Sequence, residues 1–173
     1  MDFIEMPIYT LERKQEILRP RSEVFEFFSE PFNLERITPA FLRFSILNKP
    51  PVVLCAGSRL EYRLALFGVR FQWKTLIEEW KPEESFVDVQ LSGPYKLWRH
   101  THTFRELSSD RTLMIDRVEY GLPGGAFAKP AHALFVAPML RRIFDHRART
   151  IEQLLNSARR PIDSITSTHS VAS

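Results

Sequence analysis

The chain has 173 residues, a length that suits one domain with a sizeable hydrophobic core. Its composition, 44% apolar and 26% charged, is that of an ordinary globular domain, and a net charge of +3 does not by itself indicate a nucleic-acid partner. The lone cysteine, Cys55, excludes an intrachain disulfide and a cysteine-based metal site, which fits a reducing compartment. Residues 1–10 lack the apolar segment of a signal peptide and no apolar run reaches the length of a membrane span. We therefore expect a cytoplasmic protein without an integral membrane segment.

The first part of the chain is predicted to form one strand, two short helices and a weak second strand. Apolar and charged side chains alternate in residues 7–18, which indicates a half-buried strand. The apolar spacing becomes helical in residues 20–37, where Pro31 interrupts the pattern and so predicts two short helices. A weak strand is predicted at residues 42–48.

The rest of the sheet is predicted to be a meander of five strands. Turn-forming segments separate the strands at residues 59–66, 69–80, 85–92, 96–106 and 112–121. In the first hairpin, a two-residue turn at residues 67–68 places Tyr62 opposite Trp73. The same register places Glu61 opposite Lys74, so one face is apolar and the other carries an opposite-charge pair.

The last hairpin carries the most polar inward-facing residues of the sheet. Pairing Glu106 with Thr112 across the turn sets the register of the two strands. The cross-strand pairs are then Trp98 with Tyr120, Arg99 with Glu119, His100 with Val118, and His102 with Asp116. An Arg–Glu pair belongs on the solvent face, so His102 and Asp116 are predicted to lie on the face covered by the helix.

A long helix is predicted at residues 130–157, after a glycine-rich joint at residues 121–125. Its apolar stripe comprises Leu140, Ile143, Phe144, Ile151, Leu154 and Leu155. Pro138 interrupts this stripe and predicts either a kink or a short helix that ends before a longer one. Such a helix is about 42 Å long, enough to cross a seven-stranded sheet about 30 Å wide. Residues 158–173 are polar and rich in Ser and Thr, so we expect a disordered tail there.

The same helix carries a basic cluster that comprises Arg141, Arg142, His146, Arg147 and Arg149. A nucleic-acid site would be expected to interleave aromatic side chains with these charges, whereas the aromatic residue of this segment, Phe144, belongs to the apolar stripe. We therefore interpret the cluster as a solvent-exposed helix face and expect no nucleic-acid partner.

Two groups of residues resemble a known superfamily. Residues 18–21 followed by residues 24–28 look like its first junction between strand and helix. Residues 93–95 precede a second pattern that comprises Trp98, His100, His102, Phe104, Asp116 and Tyr120. The chain thus resembles the START-like or helix-grip (SRPBCC) superfamily, which includes pollen-allergen-type proteins, polyketide cyclases and coenzyme Q-binding proteins, and within it a bacterial branch. The resemblance covers about residues 7–156.

The resemblance implies an α+β helix-grip fold: a seven-stranded antiparallel sheet curved around a long C-terminal helix, with two short helices between strands 1 and 2. Residues 1–157 would form one START-like ligand-binding domain. A cavity between the sheet and the C-terminal helix would hold a small apolar molecule such as a lipid, a quinone or a polyketide-like compound. We favour a carrier without a cofactor. The sequence specifies neither the ligand nor the oligomeric state.

The ligand-binding residues would then be Tyr62, Phe71, Trp73, Trp98, His100, Phe104, Tyr120 and Phe135. The same side chains are equally compatible with an ordinary aromatic core. The alternative function is a small cyclase or hydrolase with His102 and Asp116 as its acid–base pair, because a carboxylate fixes the tautomer of an imidazole and raises its basicity. Buried imidazoles and carboxylates need partners even without catalysis, so we favour a structural pair. A third alternative is a protein-interaction module with a filled cavity.

Two histidines and nearby carboxylates also form a candidate metal site. His100 and His102 lie two residues apart on one strand face, where two ligands could converge, with Asp116 as a third and Asp88 or His132 as a fourth. Because strand alternation alone commonly produces such a pair of histidines, we expect no metal. The orientation of Asp88 stays open: hydrophobic alternation turns it to solvent, whereas the resemblance turns it inward.

Overall fold

The computed structural model describes residues 6–156, so the tail predicted at residues 158–173 lies outside the described residues. The strands are β1 (Ile8–Ile17), β2 (Ser45–Ile46), β3 (Arg59–Leu66), β4 (Val69–Lys81), β5 (Ser85–Ser92), β6 (Leu97–Ser108) and β7 (Arg111–Gly121). The α-helices are α1 (Arg21–Ser29), α2 (Asn33–Ile37), α3 (Ala128–Ala131) and α4 (Ala137–Ile151). Two 3₁₀ turns occupy Ala40–Leu42 and Gly125–Phe127, and two π-helical turns occupy His132–Val136 and Glu152–Asn156.

The seven strands form one antiparallel sheet in the order β1-β7-β6-β5-β4-β3-β2, and the α+β helix-grip architecture is as predicted. Both predicted registers are confirmed, since Tyr62 lies opposite Trp73 and His102 lies opposite Asp116. On the solvent face of the first hairpin, Lys74 Nζ lies 2.9 Å from Glu61 Oε1. The alternation of side chains along each strand therefore decides which residues face α4.

The solvent face of the last hairpin has the predicted register but a different pairing of charges. Arg99 lies opposite Glu119, as predicted. Its guanidinium group nevertheless contacts Glu78 and Glu79 of β4, with Nη2 2.7 Å from Glu79 Oε1, while Glu119 contacts Arg117. A long arginine side chain reaches past its direct neighbour to two carboxylates, so the backbone register alone did not determine its partner.

The predicted strand at residues 42–48 is mostly wrong. Ala40–Leu42 form a 3₁₀ turn, and Arg43 has a left-handed backbone with φ 47°. This turn changes the direction of the chain before it can pair with a neighbour, so β2 is limited to Ser45–Ile46.

The C-terminal helical segment begins earlier than predicted and is not one regular helix. α3 begins at Ala128, and the π-helical turn His132–Val136 connects it to α4. Pro138 lies in the first turn of α4. Proline has no N–H group to close an α-helical hydrogen bond, and the chain here forms a short helix, an irregular turn and then the longer α4, the second of the two predicted arrangements. None of the described helices is both long and apolar enough to cross a lipid bilayer.

The interior contains two clusters of buried apolar side chains. The packed cluster lies beneath α1 and comprises Ile17, Val24, Phe25, Phe28, Ile37, Phe86, Phe104, Met114 and Ile151. The cavity cluster comprises Leu11, Leu54, Leu60, Tyr62, Leu64, Trp73, Ile77, Tyr95, Val118, Tyr120, Leu122, Ala128, Leu140 and Phe144. Helix α4 contributes to both clusters, through Ile151 to the first and through Leu140 and Phe144 to the second.

Candidate functional site

A cavity of about 170 Å³ lies between the sheet and α4. Its apolar walls include Leu60, Leu64, Ile77, Trp98, Tyr95, Leu140, Ile143 and Phe144. The helices α1 and α2 close one side with residues such as Phe28 and Ile37. An engineered apolar cavity of about 150 Å³ in another protein admits benzene, so this space accommodates a group the size of an aromatic ring.

Four polar residues, Asp88, His100, His102 and Asp116, form a buried polar cluster against this cavity. Asp88 on β5 lies opposite His100 on β6, and Asp116 on β7 lies opposite His102. His100 and His102 are two residues apart on one strand, so their side chains lie on the same face. Asp88, His100 and His102 line the cavity, whereas Asp116 lies behind the two imidazoles. The structure thus answers the open question about Asp88, which faces inward with 14% of its side chain exposed.

Each carboxylate of the cluster contacts both imidazoles. Asp116 Oδ1 lies 3.0 Å from His100 Nε2 in a hydrogen bond, and Asp88 Oδ2 lies 3.1 Å from His102 Nε2 in a second one. The other two approaches are 2.9 Å, between His102 Nδ1 and Asp116 Oδ1, and 3.4 Å, between His100 Nδ1 and Asp88 Oδ2. The 2.9 Å contact lacks hydrogen-bond direction, since His102 Nδ1 has no hydrogen-bond partner among the described residues. It is therefore a contact between charges rather than a hydrogen bond.

The two imidazoles differ in their proton affinity. Burial lowers the pKa of His100, and the charge of His102 adds to this effect against the hydrogen bond to Asp116. Burial acts in the same direction on His102, but its contacts with Asp116 and Asp88 outweigh burial and raise its pKa. The cluster therefore favours one protonated imidazole, at His102, beside a neutral His100.

The two carboxyl groups are held in their ionised form. Burial would raise the pKa of Asp116, but the charge of Arg147 and the neighbouring imidazoles bring it well below its usual range. The pKa of Asp88 is also lowered, because its hydrogen bond to His102 and the charges of His100 and His102 outweigh burial. Two ionised carboxylates thus lie at the edge of an otherwise apolar cavity.

The position of Arg147 differs from the one predicted from the sequence. It was assigned to a solvent-exposed basic face, yet it is half-buried, lines the cavity and lies over the rings of Phe28 and Phe144. A signal was present, because Ile143, Arg147 and Ile151 are spaced four residues apart along the apolar stripe of α4. An arginine in this stripe carries a positive charge towards the two carboxylates.

The eight residues predicted to bind a ligand divide into two groups. Tyr62, Trp73, Trp98 and His100 line the cavity, as does His102. The other four do not line it, and they are Phe71, Phe104, Tyr120 and Phe135.

These four residues lie in different places. Phe104 is 2% exposed within the packed cluster. Phe71 lies opposite Leu64, which does line the cavity, and nothing in the structure explains why Phe71 itself does not. Tyr120 is buried, where its hydroxyl group lies 2.9 Å from His132 Nε2. Phe135 lies in the π-helical turn His132–Val136 and is 57% exposed.

His132, considered as a fourth metal ligand, lies in a different place from the buried polar cluster. Its ring stacks on Tyr9 with 3.5 Å between ring centroids, and its Nε2 contacts Tyr120. Burial lowers its pKa, with a further contribution from the charge of Arg141. Cys55 is exposed and is not among the residues that line the cavity.

Three nitrogen atoms of the cavity-lining residues have no hydrogen-bond partner within residues 6–156. They are Trp73 Nε1, His102 Nδ1 and Arg147 Nε. Elsewhere in the cavity wall, the hydroxyl groups of Tyr62 and Thr75 form a hydrogen bond with each other, with 3.0 Å between their oxygen atoms. A buried donor without a partner is costly, so Trp73 and Arg147 can offer hydrogen bonds to a ligand that accepts them. His102 Nδ1 lies 2.9 Å from Asp116 Oδ1, behind the imidazoles.

No protein-family model and no curated protein matches the sequence. Solved structures do match the fold. A protein from Thermus thermophilus has a TM-score of 0.67 at 15% identity, over 87% of this chain and 99% of that one. The Zhui aromatase/cyclase from a Streptomyces species has a TM-score of 0.60 at 15% identity, over 89% and 95%. A START superfamily protein from Mycobacterium smegmatis has a TM-score of 0.57 at 12% identity, over 86% and 98%.

These similarities extend over nearly the whole length of each compared chain, so they concern the complete domain rather than a shared fragment. At such low identity they establish the architecture and leave the chemistry to the residues of this chain. The antiparallel sheet, the two short helices after β1 and the C-terminal helix occur here in the order expected from the sequence. The chain therefore has the START-like helix-grip fold.

Proposed function

We propose that the protein binds a small apolar molecule with one hydrogen-bond-accepting end in the cavity between the sheet and α4. The observation that carries this proposal is the cavity itself, which is apolar over most of its wall and polar at one side. Ligand pockets in proteins typically combine such walls with a few placed polar groups. Similarity to an aromatase/cyclase and to a START superfamily protein supports the same reading.

The polar side of the cavity favours an acceptor group on the ligand. Trp73 and Arg147 each have a nitrogen atom without a partner among the described residues, and both residues line the cavity. The Arg147 guanidinium group is permanently charged, so a carboxylate or a phenolate would gain a charge-assisted hydrogen bond from it. An apolar ligand without such a group would leave these donors unsatisfied.

The test compares two ligands of similar size, 1-naphthoic acid and 1-methylnaphthalene, by isothermal titration calorimetry. We expect both to bind, and the acid to bind about 10-fold more tightly, because a hydrogen bond to a charged group contributes about 1.5–3 kcal/mol. Arg147→Met should remove most of this preference while preserving binding of the hydrocarbon.

A pair of substitutions to tryptophan provides the control for location. Leu64→Trp fills the cavity wall and should abolish binding of both ligands, whereas Leu91→Trp changes an exposed leucine of β5 and should leave binding unchanged. Binding that survives Leu64→Trp, or a folded protein that binds neither ligand, would refute the proposal. Native mass spectrometry of gently purified protein would identify a ligand retained from the cell.

A cyclase or hydrolase is the second candidate function, and the position of His102 favours it. This imidazole lines the cavity and its pKa is raised, which favours its proton-donating form, with Asp116 behind it. The test is a screen for turnover of quinone-, ester- and ketide-like compounds. Turnover that disappears in His102→Gln, while 1-naphthoic acid still binds, would favour the enzyme; binding without turnover of any compound would favour the carrier.

A further inference from the structure

Three residues of the buried polar cluster have the geometry of metal ligands. One ligand atom from each of Asp88, His100 and His102 lies within 4.8 Å of the other two. Asp88 Oδ2 lies 3.1 Å from His102 Nε2 and 3.4 Å from His100 Nδ1. Tetrahedral ligands about 2.0–2.1 Å from a metal are about 3.3–3.4 Å from one another, and the two distances from Asp88 are close to that spacing.

The two ring nitrogens of His100 face different carboxylates. Its Nε2 hydrogen-bonds to Asp116 Oδ1 at 3.0 Å, and because a carboxylate oxygen only accepts, Nε2 is the donor. The other ring nitrogen, Nδ1, lies 3.4 Å from Asp88 Oδ2, on the side of the ring that faces the second carboxylate. A cation placed between these two atoms would be coordinated by both.

Asp116 has the position of a carboxylate that orients metal-binding histidines. Its Oδ1 lies 3.0 Å from His100 Nε2 and 2.9 Å from His102 Nδ1, the two nitrogens that point away from Asp88. A small rotation of the His102 ring would turn its Nδ1–H towards this oxygen and give the nitrogen the partner it lacks. Metal-bound histidines almost always donate their second N–H group to such an acceptor. Every nitrogen of the two rings then has a partner.

We infer that Asp88, His100 and His102 form a three-ligand site for a divalent transition-metal ion, with Asp116 as the positioning residue behind both imidazoles. From the sequence, Asp116 was the candidate third ligand and no metal was expected; the structure brings Asp88 to that position. Two imidazoles and one carboxylate form a donor set typical of zinc and non-haem iron sites. The inference does not depend on which apolar molecule binds in the cavity.

The remaining coordination position of this site would open towards the cavity. All three ligands line the cavity, whereas Asp116 does not. The two positive charges of a divalent ion would balance the negative charges of Asp88 and Asp116. The nearby Arg147 guanidinium group then adds one positive charge that is not balanced. Water, hydroxide or an anionic oxygen of a ligand therefore fits the open position, as in three-ligand sites elsewhere.

The first experiment uses the unaltered protein, stripped with a chelator and then dialysed against one equivalent of Zn²⁺ or Co²⁺. We expect one ion per chain by mass spectrometry of the digested sample. The X-ray absorption fine structure of the zinc form should show two imidazoles and no sulfur, and the cobalt form should show visible d–d absorption. Sulfur scattering would indicate binding at the exposed Cys55, and this result or a failure to retain metal would overturn the inference.

Substitutions then locate the ion. His100→Gln and Asp88→Asn should each lower Zn²⁺ affinity at least about 100-fold, and Asp116→Asn should lower it about 10–100-fold while keeping one ion per chain. His132→Gln is the matched control, since that histidine is bound to Tyr9 and Tyr120, and it should retain the original affinity. Loss of zinc in the control with retention in His100→Gln would overturn the site. If a variant fails to fold, the absorption spectrum of the unaltered protein still decides the ligand set.

Discussion

The packed and cavity clusters form two ends of the interior with similar side chains, but the cavity is lined mainly by the second, and by Phe28, Ile37 and Phe86 of the first. In the packed cluster, the Phe25 ring contacts Trp80, Phe86 and Phe104 at 5.2–6.3 Å between centroids. In the cavity cluster, the Trp73 ring has similar contacts with Tyr62, Tyr95 and Trp98, at 5.2–5.8 Å, and also borders the cavity. Helix α1 inserts Val24 and Phe25 into the first end, where both are buried. Similar aromatic content therefore accompanies close packing beneath α1 and open space beside Trp73.

Truncation of one aromatic side chain at each end should give the largest difference between them. Phe104→Ala should lower the free energy of unfolding by about 3–5 kcal/mol, because the ring is packed on all sides. Trp73→Ala should cost less, since part of its ring already borders the cavity, and should weaken binding of 1-naphthoic acid. Urea denaturation and calorimetry measure the two effects. Equal stability losses together with unchanged binding would contradict the distinction between the two ends.

The buried polar cluster lies between the two ends, and its contribution can be compared with that of a surface ion pair. Asp116→Asn should lower stability by about 1–3 kcal/mol, because it removes a charge on which two buried imidazoles depend. Asp145→Asn breaks the exposed pair with Arg13 and should cost less than about 1 kcal/mol. Both values are to be measured with a chelator present. A similar small loss in both variants would mean that the polar cluster does not stabilise the fold.

The pH dependence of stability should separate the roles of His102 and of the carboxylates. The raised pKa of His102 contributes stability that is complete below pH about 6.5 and is lost as the pH rises through its folded-state pKa. The lowered pKa of Asp116 contributes stability above pH about 3.9 that is lost as the pH falls.

His100 adds an opposite effect to that of His102. Its lowered pKa means that the unfolded chain takes up the proton first, so its contribution decreases below pH about 6.5. Chelator-treated His102→Gln should therefore lose the decline on the alkaline side, and His100→Gln should lose part of the decline on the acidic side. The measurement is the urea concentration at the midpoint of unfolding, from about pH 5 to about pH 9, a range that spans the usual pKa of histidine. Identical curves for all three proteins would show that the imidazoles do not titrate differently on folding.

The smallest expected effect concerns the β3–β4 turn, which lies outside both clusters. Phe67 and Gly68 have positive φ angles of 50° and 80°, a conformation that asparagine adopts more readily than phenylalanine. Phe67 is 64% exposed, so Phe67→Asn should raise stability by about 0.5 kcal/mol. Phe41→Asn, an exposed phenylalanine without a positive φ, should give no gain. A loss of stability in Phe67→Asn would show that its ring contact with Phe135 outweighs the turn geometry.

Much of the sheet was predictable because local patterns determine hairpins. The turn at Phe67 and Gly68 and the opposite-charge pair Glu61–Lys74 both specified the first register. The turn after Glu106 specified the second, so the pairing of His102 with Asp116 followed from the sequence. The site was predicted less completely. Asp88 lies on β5, which is not part of the last hairpin, so its position opposite His100 depends on the β5–β6 register. The turn of the last hairpin does not determine that register.

Arg147 and Phe135 show why the cavity wall could not be predicted from composition. Both lie on the C-terminal helical segment, where a change of register at the π-helical turn before Pro138 alters which residues face the sheet. The charged residue lines the cavity, and the aromatic one is exposed. From polarity alone, Phe135 was expected to line the cavity and Arg147 to be exposed to solvent.

The sequence by itself determined the order of the elements, the two hairpin registers and the inward direction of His100, His102 and Asp116, because these depend on period, turn chemistry and alternation along single strands. Only the tertiary structure decided that Asp88 completes the buried polar cluster, that Arg147 faces it from α4, and that space remains beside Trp73. These features depend on how distant segments pack against one another. Packing of this kind is set by the shapes and positions of whole elements rather than by any local pattern.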